Sequence, residues 1–573
     1  MAVTRSTAES RRVVPITRHV GRGPELLWLV LAAIIVCGAW ALAGTAKIRR
    51  ATTPAPSVNL ADIDRSEKLL PVLTVLQSPA DREFAAKRIF DTLADRGSGF
   101  LNTTAIARIR VPRADLLENK QVQELRKRAE DAKGESISLF TSAEFAQIKP
   151  QIAVRSASTF ERDFLLWGGA ILAAFLLTHI VWAMRGFAGP WAYLPLLLLL
   201  TGIGYALMVG LRDPLRDTLI FIPFAQGVAA GCLVMLAASL IDWDETTAPY
   251  SFVPLLGAIV LSIALIFFGS GPVGSDARVN LGPLQPVEAI KVLLVFFLAG
   301  YFAKRWPLLR ELREKRSIVA RIVPGIEMPR FQYALPVLIG VGIAVLFFYL
   351  QKDLGPALVF ACVFLTLYAI ARNRVALAAL GMSALLGGFL AGYFLGTPKT
   401  VHDRVAMWLS PWSNTVRGGD QVAHSLWAIA SGGPLGAGPG LGESDVIPAG
   451  HTDLIVSVLG EDWGFLGIAS VYLIYALLIW LGLRVARRAR SDYAFFLALG
   501  LTLLISAELL LISCGILDLF PLSGVATPFL SYGRTAMLAN FGIAGILLAL
   551  GNDGHRSGSR TESLAPLLPG LRW

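Results

Sequence analysis

The stretch "HTDLIVSVLGEDWGFLGIASVYLIYALLIWLGLRVARRAR", residues 451–490, decides the fold. Residues 463–483 carry no charge, and Arg484, Arg487, Arg488 and Arg490 follow at once. An uncharged run of that length crosses the hydrocarbon core of a bilayer as a helix. Clustered arginines at its end mark the cytoplasmic side. The start of the same segment is polar. Asp453, Ser457 and Glu461 recur every fourth residue and predict one stripe, running roughly 12 Å inward from the outer surface. Such a stripe suits a cavity or a helix contact better than lipid.

The pattern repeats along the chain. Its 573 residues are 54% hydrophobic and 16% charged, well below the quarter expected of a soluble domain. Apolar runs predict twelve spans: 25–46, 164–184, 190–211, 219–241, 251–270, 285–303, 333–351, 354–371, 375–397, 452–482, 493–516 and 527–550. The fold class is therefore all-α and polytopic. Arg5, Arg11, Arg12, Arg18 and Arg22 precede the first span, and a basic 304–332 loop joins the 484–490 arginines on the same side. Twelve crossings put both termini in the cytoplasm, with tails at 1–24 and 551–573. The net charge of +11 is thus loop charge, not a nucleic-acid surface. Cys37, Cys232, Cys362 and Cys514 all lie in apolar runs, with no disulfide or metal spacing.

The first span reads as a membrane anchor, with a cleaved signal peptide as the alternative at "ALAGTA". Either way residues 47–163 lie outside. Their helical periodicity predicts a small extracytoplasmic helical domain with no catalytic motif. Between spans nine and ten, the outer loop 398–450 is long and glycine-rich, as functional loops often are. Charges in the apolar runs need partners. Glu288 and Lys291 are three apart and share a helix face. Glu508 has none on its own helix, which leaves Arg534 as a candidate. Lys352 and Asp353 read as an outer turn.

Four ordered motifs then carry a resemblance. They are "ARVNLGPLQPVEAIK" (277–291), "QKDLGPALVF" (351–360), "SLWAIASGGPLGAGPGLGESDVIPAGHTDLIVSVLGEDWGFLG" (425–467) and "FPLSGVATPFLSYG" (520–533). Together they resemble the SEDS family of FtsW, RodA and SpoVE over residues 190–550. The resemblance implies a ten-helix core, to which the first two spans and the outer domain are additions. It implies a peptidoglycan glycosyltransferase that polymerises lipid II at the outer face of the bacterial cytoplasmic membrane, paired with a class B penicillin-binding protein. Such chemistry wants a carboxylate base near the acceptor hydroxyl and cations, or a divalent metal, near the diphosphate. No other cofactor is implied, and the metal ligands are unknown. The cationic candidates are Arg278, Lys291, Lys352 and Arg404. Glu288, Asp353, Gln421, Ser425, His451, Asp453 and Glu461 complete the expected substrate set.

The stretch "PWSNTVRGGDQVAHS" (411–425) departs from the family. Where the family keeps its catalytic Asp, this chain has Asn414, and a neutral amide cannot act as base. Asp420 is the best replacement, with Asp403 or Glu443 behind it, and His424 is placed to share proton transfer. The other readings are a degenerate protein that binds lipid-linked precursor or scaffolds wall machinery, and a transporter of that precursor. Trp408 and Trp412 are candidate sugar contacts.

Overall fold

The computed structural model describes residues 22–53, 56–95, 102–271, 277–311, 331–396, 399–416 and 419–552. The basic tail before Arg22, most of the 304–332 loop and the tail beyond Asn552 lie outside the described residues. Twelve helices meet the twelve predicted spans. They are Gly23–Thr52, Ala157–Met184, Tyr193–Gly210, Phe221–Ser239, Val253–Phe268, Pro286–Glu311, Phe331–Leu350, Leu354–Arg372, Ala376–Leu395, Ile455–Arg487, Asp492–Ile516 and Arg534–Leu550. Ten have the length and apolarity to cross a membrane, and the fifth and twelfth are shorter apolar helices. The third and eleventh spans are buried nearly all round, which is why their sequences show no polar face.

The tenth and twelfth spans depart from their predicted bounds. Helix begins at Ile455, so Asp453 precedes it, and Gly464 breaks the helix at φ 65°. That left-handed conformation is open to glycine and costly to a side chain. The stripe Asp453–Ser457–Glu461 is therefore not one helix face. Residues 527–531 form a turn in which Ser531 Oγ accepts from Thr527 N at 2.9 Å and donates to the Thr452 carbonyl at 2.6 Å.

The first span packs along the third. Trp40 Nε1 donates to the Gly202 carbonyl at 2.7 Å, and its ring lies 4.7 Å from Tyr205. Near the other end, buried Glu25 bonds Arg22 at 2.5 Å and His179 Nδ1 at 2.7 Å, tying the first two spans together. That end also carries Asn552 Oδ1, which accepts from Ala188 N at 3.0 Å. The first and last described segments thus share one face of the bundle, as an even number of crossings requires.

On the opposite face sits the 56–153 domain, with its own core built on Leu69, Leu76, Ile89, Leu125 and Ile152. It is mainly helical, as expected, but it also pairs Val58–Asn59 with Ile152–Ala153 in parallel and Arg110–Pro112 with Ser136–Ser138 antiparallel. Period-2 runs this short were invisible beside the helical pattern. The loop between spans three and four docks the domain. Buried Arg216 donates to the carbonyls of Ala51 at 3.1 Å, Lys149 at 3.2 Å and Pro150 at 2.5 Å. Arg155 answers with bonds to Pro214 at 2.8 Å and Asp217 at 2.6 Å.

Candidate active site

The four motifs, far apart in sequence, meet on the face that carries the outer domain. The helix Lys399–Leu409 leads the long loop in. It is pinned where Trp408 Nε1 donates to the Asp518 carbonyl at 2.9 Å. From it Arg404 reaches across and donates to the Leu522 carbonyl. The backbone at Gly524 has φ 70°, and a Cβ there would lie 2.9 Å from Arg404 Nη2. Only glycine admits both the turn and the guanidinium.

Beneath Arg404 lies a group of charges. Asp353 caps the eighth span, half-buried between the seventh and eighth. Burial pushes its carboxyl up to about 6, while Arg404 and then Lys291 pull the other way. Asp353 thus changes charge near neutral pH, which suits proton transfer. Asp453 is raised by burial as well, and the same Arg404 pulls the other way. Lys291 closes the group from the sixth span. It pairs with Glu288 at 2.9 Å and also with Glu508. The partner of Glu508 is therefore Lys291, 217 positions away, and not Arg534, which is exposed. Two carboxylates flank that one ammonium, and Arg404 likewise stands in the field of both Asp353 and Asp453. Beside them Gln351 is fully buried, and among the described residues neither of its side-chain amide atoms has a hydrogen-bond partner.

Other expected contacts fall elsewhere. Arg278 turns to the Ile266 carbonyl and finishes the fifth span. Ser425 is fully buried, with its hydroxyl 2.7 Å from Ser457 Oγ and 3.1 Å from the Ile516 carbonyl, so it joins helices and does not face a cavity. Glu461 accepts from Glu443 N at 2.9 Å. Lys352 is exposed at its turn, Gln421 begins the loop helix Gln421–Gly432, and His451 packs edge-on against Tyr532 at 5.5 Å.

Asn414 is built into a turn. Its amide donates to the carbonyls of Ser410 at 2.9 Å and Gly419 at 2.8 Å and accepts from Val416 N at 3.1 Å. Asp420 starts the loop helix with its carboxylate 59% exposed. His424 Nδ1 donates to the Asp420 carbonyl at 2.9 Å and lies 3.7 Å from its carboxylate.

Sequence reasoning missed Asp462. It is buried and accepts from Gly440 N at 3.0 Å and Gly442 N at 3.1 Å. It also missed the first span's share. Arg50 donates to the Gly442 carbonyl at 3.1 Å, and buried Lys47 lies within the field of Asp462. Two charged residues at the end of an apolar run were the available signal. Among the described residues, no three His, Cys, Asp or Glu side chains converge as metal ligands.

Fold and site define a multi-pass helical membrane protein with a charge cluster roofed by one long loop. The profile of FtsW/RodA/SpoVE cell cycle proteins matches residues 171–555, and the chain belongs to that family. Similar relatives are a protein named peptidoglycan glycosyltransferase RodA from Mycobacterium leprae, 30% identical over 60% of this chain and 71% of that one, and a probable peptidoglycan glycosyltransferase FtsW from a Geobacter species, 32% identical over 52% and 77%. A solved peptidoglycan synthase complex that coordinates polymerization and crosslinking contains a chain with the same fold, at TM-score 0.51, 22% identity, and coverage of 63% and 97%. The first span and the outer domain lie outside the family match.

Proposed function

We propose that the chain polymerises lipid II at the outer face of the bacterial cytoplasmic membrane, with both termini inside, in partnership with a class B penicillin-binding transpeptidase. The observation that supports this is the meeting of all four motifs around Arg404, Asp353, Asp453 and Lys291. In the reaction, the acceptor's 4-hydroxyl gives its proton to a carboxylate. Its oxygen bonds to the donor's anomeric carbon as the bond to the diphosphate oxygen breaks. The polyprenyl diphosphate leaves with the electron pair, and Arg404 takes up the charge that develops on it. Asp420 is the base, exposed where an acceptor arrives. Asp353 is the second carboxylate, set to titrate near neutral pH.

One observation favours a second reading. Every polar atom of the Asn414 side chain is used by its turn, so this position has been given over to structure. In a degenerate member the charge cluster would bind precursor without joining it.

Lipid II polymerisation by the purified chain, with and without a transpeptidase partner, separates these. We expect glycan strands from the wild type and at least about a hundredfold loss in Asp420→Asn, the usual size of a general-base contribution. If Asp353→Asn alone abolishes turnover, the base is Asp353. If no strands form under any condition, the chain is a binding member.

A further inference from the structure

The loop helix Gln421–Gly432 divides cleanly into two faces. Val422, Ala423, Ser425, Ala428 and Gly432 are buried. Asp420, His424 and Trp427 follow the i, i+4, i+7 spacing that sets side chains on one face, and this is the outer one. Trp412, from the turn before the helix, comes to meet them. The two indoles stand 5.1 Å apart, inclined at 45°. Trp412 is 58% exposed and Trp427 57%. His424 meets the Trp427 ring edge-on at 5.5 Å and 75°.

This arrangement has a chemical character. Two large indoles leave more than half of their surface open, although burying such rings is favourable. A tryptophan that only anchors a loop in the headgroup layer needs no acid beside it. Here a carboxylate and an imidazole stand at the edge of the apolar surface. The His424 Nδ1–H is taken by the Asp420 carbonyl, so in the neutral ring Nε2 is left as an acceptor. Flat apolar faces bordered by outward hydrogen-bonding groups match a pyranose, whose axial C–H bonds form an apolar face ringed by hydroxyl and acetamido groups.

We propose that Trp412 and Trp427, with His424 and Asp420 at their edge, form a saccharide platform that binds a β-1,4-linked N-acetylhexosamine strand. The proposal deepens the glycosyltransferase reading, because a strand held here would keep its sugars beside the loop that bears Asp420. The platform is nonetheless a binding site that can be measured without catalysis.

The probe is chitotetraose, a soluble strand of that linkage, added to the full chain in lipid nanodiscs and followed by saturation-transfer NMR. Transfer is expected to the ring C–H and acetamido methyl protons. Binding should weaken about tenfold in Trp427→Ala and in Trp412→Ala, and less in Trp427→Phe, which keeps a ring to stack on. Both indoles are exposed, so a monodisperse elution profile is expected of each variant. No transfer to chitotetraose, or equal transfer from wild type and Trp427→Ala, overturns the platform. Quenching by brominated lipid that is lost specifically in Trp427→Phe also overturns it, because that residue would then be a membrane anchor. Trp427-dependent transfer in a chain that makes no glycan strands would leave the platform standing and remove the enzyme reading.

Discussion

Asn414 shows how one substitution changes what a position can do. Its amide donates twice to carbonyl oxygens, and a carboxylate cannot donate at all. An acid at this position would therefore set a negative charge against the Ser410 and Gly419 carbonyls. We predict that Asn414→Asp loosens the 410–420 turn by roughly 1–3 kcal/mol, the cost of unmet partners. Hydrogen exchange at Val416 and Gly419 would rise with it. Unchanged exchange together with a gain of polymerisation would mean that the turn tolerates the acid and that residue 414 can serve the reaction. The Asp420 carboxylate, by contrast, is exposed beside His424.

At the scale of elements, the glycine-rich loop is held from two sides. Asp462 grips Gly440 and Gly442 from the tenth span, and Arg50 holds the Gly442 carbonyl from the first. A Cβ on Gly440 would come within 3.1 Å of the Ala43 carbonyl, so the loop rests directly on the first span. Lys47 is buried within the field of the Asp462 carboxylate. Lys47→Met should lower the thermal midpoint of the purified protein, and Asp462→Asn added to it should recover part of the loss. The coupling expected from such a cycle is about 0.5–3 kcal/mol. Strictly additive losses would show that the two charges do not interact.

In the whole molecule, the outer domain has its own core and meets the membrane bundle largely through the 211–219 loop. Arg216 carries that junction, with three carbonyl partners and Asp213 at 2.8 Å. Removing the guanidinium leaves the buried Ala51 carbonyl, and the half-buried bonds to Lys149 and Pro150, without that donor. We expect Arg216→Ala to release the domain while the bundle stays folded, because the two cores are separate. Spin labels on the domain and on the loop helix would report it as a broadened distance distribution. An unchanged distribution would place the junction's strength elsewhere, in the Arg155 bonds.

The twelve spans, their order and the four motifs were legible along the chain, because apolar runs of about twenty residues have one stable form in a bilayer. So was the pairing of Glu288 with Lys291, which needs nothing beyond helical periodicity. The partner of Glu508, the grip of Asp462 on its glycines, the burial of Ser425 and the meeting of Trp412 with Trp427 were not legible. Each joins residues whose separation along the chain says nothing of their distance in space. Hydrophobic length decides that a segment crosses the membrane. Which polar side chains then meet is decided by how the helices pack, since a charge carried into that interior is stable only beside the group that the packing brings to it.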